Sequence, residues 1–232
     1  MKVLFVGQST FRIALRDGPT LLTDPWFKNR RLWRKTAPAF GPEQIGQVHY
    51  LLSSHNHLDH IDDLSLGLAL RQGAGVIGSV RVARRAEKFG IAKATALRPG
   101  EEKNFGKFSV LATPAFHPLA KDAIGFLIRA EEKQLYFSGD TRLHPDLVRF
   151  LQNHGPVEIA FLQASCARYF GKDDGLDHHS AAALALAFHP RLVIPMHLHA
   201  RFKKKVDLEE LRQNLDRAGI GLKLLQPGEE IE

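Results

Sequence analysis

Three short apolar runs open the chain, VLFVG (3–7), TFRIAL (10–15) and TLLTD (20–24), with Arg16-Asp17-Gly18-Pro19 as a turn before the third. Their spacing predicts two or three antiparallel strands joined by tight turns. The pattern changes at Pro25. From there to Gly46 aromatic, basic and proline residues replace the alternation, which predicts a long surface loop or a short helical insertion. Apolar runs then alternate with helix-like segments: VHYLLSS, a helix over Asp62 to Gln72, GVIGS, and a basic helix over Val80 to Phe89. This is the βαβ rhythm of an α/β layered protein. FSVLATPAF, AIGFLIRA and QLYFSGD follow at hairpin-like spacing, then a helix over His144 to Asn153. EIAFLQA and RLVIPMH read as buried strands around a helix over Ser180 to Phe188. Asp207 to Ala218 has helical periodicity with Asp207 as N-cap, and KLLQPGEEI (223–231) reads as a closing strand.

Composition narrows the class. With 232 residues, 44% of them hydrophobic, the chain can fill one core, and one domain spanning 1–232 is expected. No apolar run reaches the roughly 18 to 20 residues of a membrane span, and MKVLFVGQSTF lacks the layout of a secretory signal. A cytoplasmic protein without stable membrane insertion is expected, beginning at or near Met1. Cys166 is the only cysteine, which removes intramolecular disulfides and cysteine metal cages. Following AFLQAS, it is read as a packing residue in preference to a nucleophile.

Candidate chemistry is concentrated in Ser54-His55-Asn56-His57-Leu58-Asp59-His60, where four potential ligands fall within six residues directly after an apolar run. Packing does not call for such crowding, whereas metal binding does. In an extended turn His55 and His57 project to one side and can reach one metal. Asp59 and His60, just beyond, can reach a second. Other apolar runs also end in a ligand type: TLLTD at Asp24, VLATPAFH at His117, LYFSGD at Asp140 and LVIPMH at His197. Strand ends are where α/β folds place their sites. One histidine after one strand would be an ordinary polar residue, but five such ends in this order form a pattern.

With these residues the sequence resembles the metallo-β-lactamase superfamily, marked by His-x-His-x-Asp-His followed by a histidine, an aspartate and a histidine at later strand ends. LLTDPWF, SGDT and IPMH look most like the branch of ascorbate-phosphate lactonases and N-acyl-phosphatidylethanolamine phospholipases. The resemblance implies an α/β fold, a four-layer αβ/βα sandwich with the metal site at one edge of its two sheets. It implies that His55, His57 and His117 bind one metal, that Asp59, His60 and His197 bind a second, and that Asp140 bridges them. Asp24 would orient a histidine ligand from behind. Many relatives in this branch carry Gly-His-(Ser/Ala) near the start, where this chain has Gly7-Gln8-Ser9. The branch includes oligomers, so a homo-oligomer is admitted.

The chemistry so implied is a two-metal hydrolase. Two divalent ions about 3.5 to 4 Å apart can share a water, bring its pKa near neutrality and clamp an oxyanion. A shared hydroxide would attack phosphorus or carbonyl carbon, with Asp59 and Asp140 tuning and orienting it. His178 or His179 is favoured over His199 as proton donor to the leaving group, against an exposed or capping role for each. Histidine and carboxylate ligands suit zinc, with manganese and iron as alternatives. The formal charge of +7 favours anionic partners. Lys28, Arg30, Arg31, Arg34 and Lys35 follow Asp24, and Arg201, Lys203, Lys204 and Lys205 follow His197. These runs either rim the site and steer a small anionic ester, a phosphodiester or lactone, or are solvated surface. Trp26, Phe27, Trp33 and Phe40 interleave with the first run and are read as lid packing in preference to base stacking or membrane contact. Two further readings stand beside the hydrolase: a nuclease acting on RNA or DNA, and a metal-binding interaction protein without turnover.

Overall fold

The computed structural model describes residues 1–28, 35–169, 171–198 and 205–232. Length gave one well-filled domain; backbone proximity groups the chain into two compact units, each built on one mixed sheet. The first unit holds residues 1–98 and 225–232, and the second holds 99–198 and, after the undescribed stretch, continues to residue 224.

In the first unit, β1 (Lys2–Gly7), β2 (Thr10–Ala14) and β3 (Thr20–Thr23) form an antiparallel meander. β4 (Tyr50–Ser53), β5 (Gly75–Gly78) and β6 (Ala94–Ala96) then add in parallel. Parallel neighbours need a crossover, supplied here by α1 (Asp63–Gln72) between β4 and β5 and α2 (Val80–Lys88) between β5 and β6. Val6, Leu22, Leu51, Ile61, Leu66, Val76 and Val82 fill the core of this unit. Asp62 caps α1 and does more: one carboxylate oxygen accepts from Ser65 N (2.8 Å), the other from Phe27 N (2.9 Å) and Lys28 N (2.7 Å). It therefore anchors the segment leaving β3 onto the start of α1. Replacing Asp62 with alanine removes the cap and strands two further amides. Unfolding by urea should show a loss of about 2 to 4 kcal/mol, and a loss under about 0.5 kcal/mol would refute this anchoring role.

The second unit repeats the arrangement. β7 (Glu102–Asn104), β8 (Phe108–Pro114), β9 (Ile124–Ala130) and β10 (Lys133–Phe137) are antiparallel neighbours. β11 (Ile159–Gln163) pairs in parallel with β10 after α3 (Pro145–Gln152). A two-stranded ribbon follows, β12 (Arg168–Tyr169) with β13 (Lys172–Asp173). α4 (His178–Phe188) leads to β14 (Leu192–Met196), parallel to β11, and α5 (Leu208–Asp216) leads to β15 (Gly221–Leu222), parallel to β14. Leu127, Tyr136, Leu162, Leu184, Val193, Leu211 and Leu215 belong to its core.

Two boundaries differ from the sequence reading. The 223–231 segment is not one closing strand: pairing stops at Leu222 in β15 and resumes only at β16 (Glu230–Ile231), which returns to the first unit and pairs with β1. Pro227-Gly228, with Gly228 at φ +96°, forms the turn that separates them. α4 starts at His178, two residues before Ser180. Its N-cap is Asp177, whose carboxylate accepts from Ser180 N (3.0 Å) while the Ser180 hydroxyl accepts from Asp177 N (2.9 Å). Ser180 is thus the third helical residue of a reciprocal capping box, and His178 and His179 lie on the first turn of the helix. Among the described residues no helix is long and apolar enough to cross a membrane.

Candidate metal centre

In the first unit the cluster begins where β3 and β4 end side by side. Asp24 follows β3 with a left-handed backbone (φ +32°) and no solvent exposure. Its Oδ1 accepts from Ser54 N (2.6 Å); its Oδ2 accepts from the Ser54 hydroxyl (2.8 Å) and from His60 Nδ1 (2.6 Å). The last contact fixes a tautomer: with Nδ1 carrying the proton, His60 keeps a lone pair on Nε2. His55 is held the same way, its Nδ1 lying 2.9 Å from the Ser54 hydroxyl. One buried carboxylate thus orients two imidazoles, His60 directly and His55 through Ser54. Burial pushes the Asp24 carboxyl above its ordinary pKa, opposed by the charge and hydrogen bond of His60 and by the two Ser54 bonds.

The ring nitrogens left over converge. His55 Nε2 lies 2.9 Å from His57 Nδ1, the His55 and His60 rings lie 4.0 Å apart, and His60 Nε2 is 3.8 Å from Asp59 Oδ2. The backbone curls to allow this, with His60 N and Ile61 N both donating to His57 O (3.0 Å each). Arg85 of α2 ties the curl down through the Asn56 side chain (3.1 Å), Ile61 O (2.9 Å) and Asp63 (2.7 Å). Lys28 and Arg85 hold the Asp63 carboxyl below the usual range, the Lys28 hydrogen bond contributing most.

The second unit holds the remaining three. His117 follows β8, is buried, and donates from Nδ1 to Asp174 O (2.7 Å), so the lone pair of its neutral ring lies on Nε2. Asp140 follows β10 and His197 follows β14; both are buried, with His197 Nε2 3.5 Å from Asp140 Oδ2. His197 has φ +68°, a conformation that costs of order 1–3 kcal/mol and concentrates at functional sites. At His60 and His117 the Nδ1 contacts a carboxylate or carbonyl oxygen, the partner that metal-binding imidazoles typically have. That donor chemistry fits a divalent metal.

Gln163, at the end of β11, escaped the sequence reading. Its buried Oε1 accepts from Thr141 N (3.2 Å) and Leu176 N (3.0 Å), and the Thr141 hydroxyl accepts from Phe116 N (2.8 Å). It therefore links the turns that carry Asp140, His117 and the Asp174 carbonyl. A polar residue closing the apolar run EIAFLQ was the available signal. Gly175 packs against it so closely that a Cβ there would lie 2.1 Å from Gln163 Oε1. Gly175→Ala should displace this amide and weaken the His117 anchor. The expected result is a thermal midpoint several degrees lower, from about 1–3 kcal/mol of overpacking, and unchanged melting would count against it.

His178 and His179 turn toward Glu210 of α5 (3.4 and 3.1 Å). Gln8 is buried in the turn between β1 and β2 with φ +59°. Lys28 pairs with Asp63 (2.9 Å), while Lys35 and Lys205 are exposed. Arg30, Arg31, Trp33, Arg34, His199, Arg201, Lys203 and Lys204 lie outside the described residues.

The family described as "Beta-lactamase superfamily domain" matches residues 20–198, well over half of the chain and a range that includes all seven candidate ligands. The chain belongs to the β-lactamase superfamily. Within it, the chain is 30% identical to a UPF0173 metal-dependent hydrolase of Listeria welshimeri, over 100% of both chains, which places it in that family of metal-dependent hydrolases. Among solved structures it resembles a metallo hydrolase of the archaeon Ignicoccus hospitalis (TM-score 0.79, 22% identity, covering 99% of this chain and 97% of that one). It also resembles an isothiocyanate hydrolase from Delia radicum gut bacteria (TM-score 0.84, 17% identity, covering 100% and 98%). These likenesses show the metallo-β-lactamase fold, an α/β architecture of two mixed sheets flanked by helices.

Proposed function

We propose that this superfamily member is a binuclear metal-dependent hydrolase acting on a small anionic ester, a phosphodiester or a lactone. Its seven ligands are His55, His57, Asp59, His60, His117, Asp140 and His197. The observation that carries the reading is the buried scaffold behind the ligands. Asp24, Ser54 and the Asp174 carbonyl each contact the Nδ1 side of an imidazole, the arrangement that metal-binding histidines typically have. A pair of divalent ions, zinc in preference to manganese or iron, would supply an activated water and a clamp for developing negative charge.

The chain's own part is positional. Asp24 and Ser54 hold His60 and His55 in the tautomer that can bind metal. Asp59 and Asp140 orient the attacking oxygen, and the left-handed backbone at His197 aims its ring from the end of β14. The phosphodiester or lactone preference rests on the resemblance of LLTDPWF, SGDT and IPMH to the lactonase and phospholipase branch. The nuclease and interaction-protein readings leaned on the basic runs, of which Lys28 is engaged by Asp63.

Elemental analysis of protein purified without chelator or histidine tag tests the metal stoichiometry, and a turnover screen with bis(p-nitrophenyl) phosphate and a simple lactone tests the chemistry. About two metals per chain with chelator-sensitive turnover is the expected result. Less than one metal per chain, with none taken up from added zinc, manganese or iron, would overturn the binuclear reading.

A further inference from the structure

The first turns of α4 and α5 bring together a second set of ligand types. His178 and His179 are the first two residues of α4, and Glu210 sits on the first turn of α5. Consecutive helical residues point about 100° apart, so two adjacent histidines do not ordinarily reach one partner. Here they do, by using different nitrogens. His178 approaches through Nε2, 3.4 Å from Glu210 Oε2, and His179 through Nδ1, 3.1 Å from Glu210 Oε1, with the ring centroids 4.0 Å apart.

Two explanations for these approaches imply different separations. A charge-assisted imidazole–carboxylate hydrogen bond closes to about 2.7–2.9 Å. Two ligand atoms on a tetrahedral zinc, each about 2.0–2.1 Å from the ion, stand about 3.3 Å apart. The 3.4 Å separation lies nearer the second value and the 3.1 Å one falls midway, and the three ligand atoms lie within 4.8 Å of one another. The frame is rigid, because α4 and α5 pack through Ala181, Leu184, Leu211 and Leu215 of the same core. The setting carries both signs of charge, with Lys205 close enough to Asp207 for their charges to interact. Asp207 faces His178 closely enough for their charges to interact, which offsets the positive ends of the two helices.

We propose that His178, His179 and Glu210 form a separate, solvent-accessible site for one divalent transition metal, zinc or a similar borderline ion, with its remaining positions open to water. His179 is exposed and His178 and Glu210 are partly so, which suits an exchangeable ion. An ion there would take both imidazoles out of proton transfer, so its occupancy would oppose the proton-donor role that the sequence suggests for this doublet.

The test uses the full-length protein with whatever metal it retains after exhaustive dialysis, titrated with zinc while the imidazole nitrogens are followed by long-range proton–nitrogen NMR. His178 and His179 should shift together and saturably. Glu210→Gln should weaken that transition by about ten-fold or more while leaving the dialysis-retained metal unchanged, and His179→Ala should abolish the His178 shift. Rings that stay unmoved as zinc is added, or a Glu210→Gln titration that overlays the parent, would overturn the proposal. The dialysis-retained metal is read separately, so the outcome does not depend on the two-metal hydrolase reading.

Discussion

Asp140→Asn is expected to lower kcat/KM by at least about 10³-fold, some 4 kcal/mol of transition-state stabilisation, while the protein still folds. The amide fills the same volume at a position only 3% exposed, so the end of β10 and its links through Thr141 and Gln163 should persist. What is lost is the negative charge beside His197 Nε2, 3.5 Å away. A carboxylate here would offer a metal two charged oxygens, and asparagine offers one neutral one. Metal bound to the native state stabilises it by mass action, so thermal melting with and without chelator provides a second readout. The parent should melt lower with chelator, and the variant should respond less. A variant that keeps its rate within about ten-fold of the parent would show that Asp140 is not part of the machinery.

Asp24→Asn should act differently, through metal affinity. The Asp24 carboxylate accepts three bonds, two from Ser54 and one from His60 Nδ1. Asparagine has one acceptor oxygen, so an NH2 group must face either Ser54 or His60. If it faces His60, the ring is driven to carry its proton on Nε2 and loses the lone pair that would bind metal. Competition titration against a chromophoric chelator should show metal held about 10- to 100-fold more weakly, and saturating metal should restore much of the turnover. Equal affinity in the two proteins would mean that Asp24 serves packing alone. Asp140→Asn should not be rescued in this way, which separates an orienting residue from one that faces the reaction.

The parts of this molecule that were legible in the sequence share a cause. His55, His57, Asp59 and His60 stand out because they crowd together directly after an apolar run, and Asp24, His117, Asp140 and His197 because each ends one. α1, α3 and α5 were placed closely by their helix-like patterning, and for α5 also by Asp207 as its N-cap. α4 was entered late because serine is a common N-cap, and nothing local reveals that Asp177 takes that role and leaves Ser180 to answer it. β6, β7, β12 and β13 carry little apolar signal in two or three residues each, so nothing in the local alternation announces them. Gln163 was invisible for a related reason: its partners at Thr141 and Leu176 become neighbours only once the sheet is assembled.

The order of synthesis has a consequence for β16. β1 is made before the second unit, yet the strand that hydrogen-bonds its outer edge, through Val3 with Ile231 and Leu4 with Glu230, is translated after it. During translation the nascent first sheet therefore carries an open edge for more than two hundred residues. An unpaired edge is a template for other strands, so the growing chain is most exposed to misassociation in that interval, and β16 is the strand that closes it.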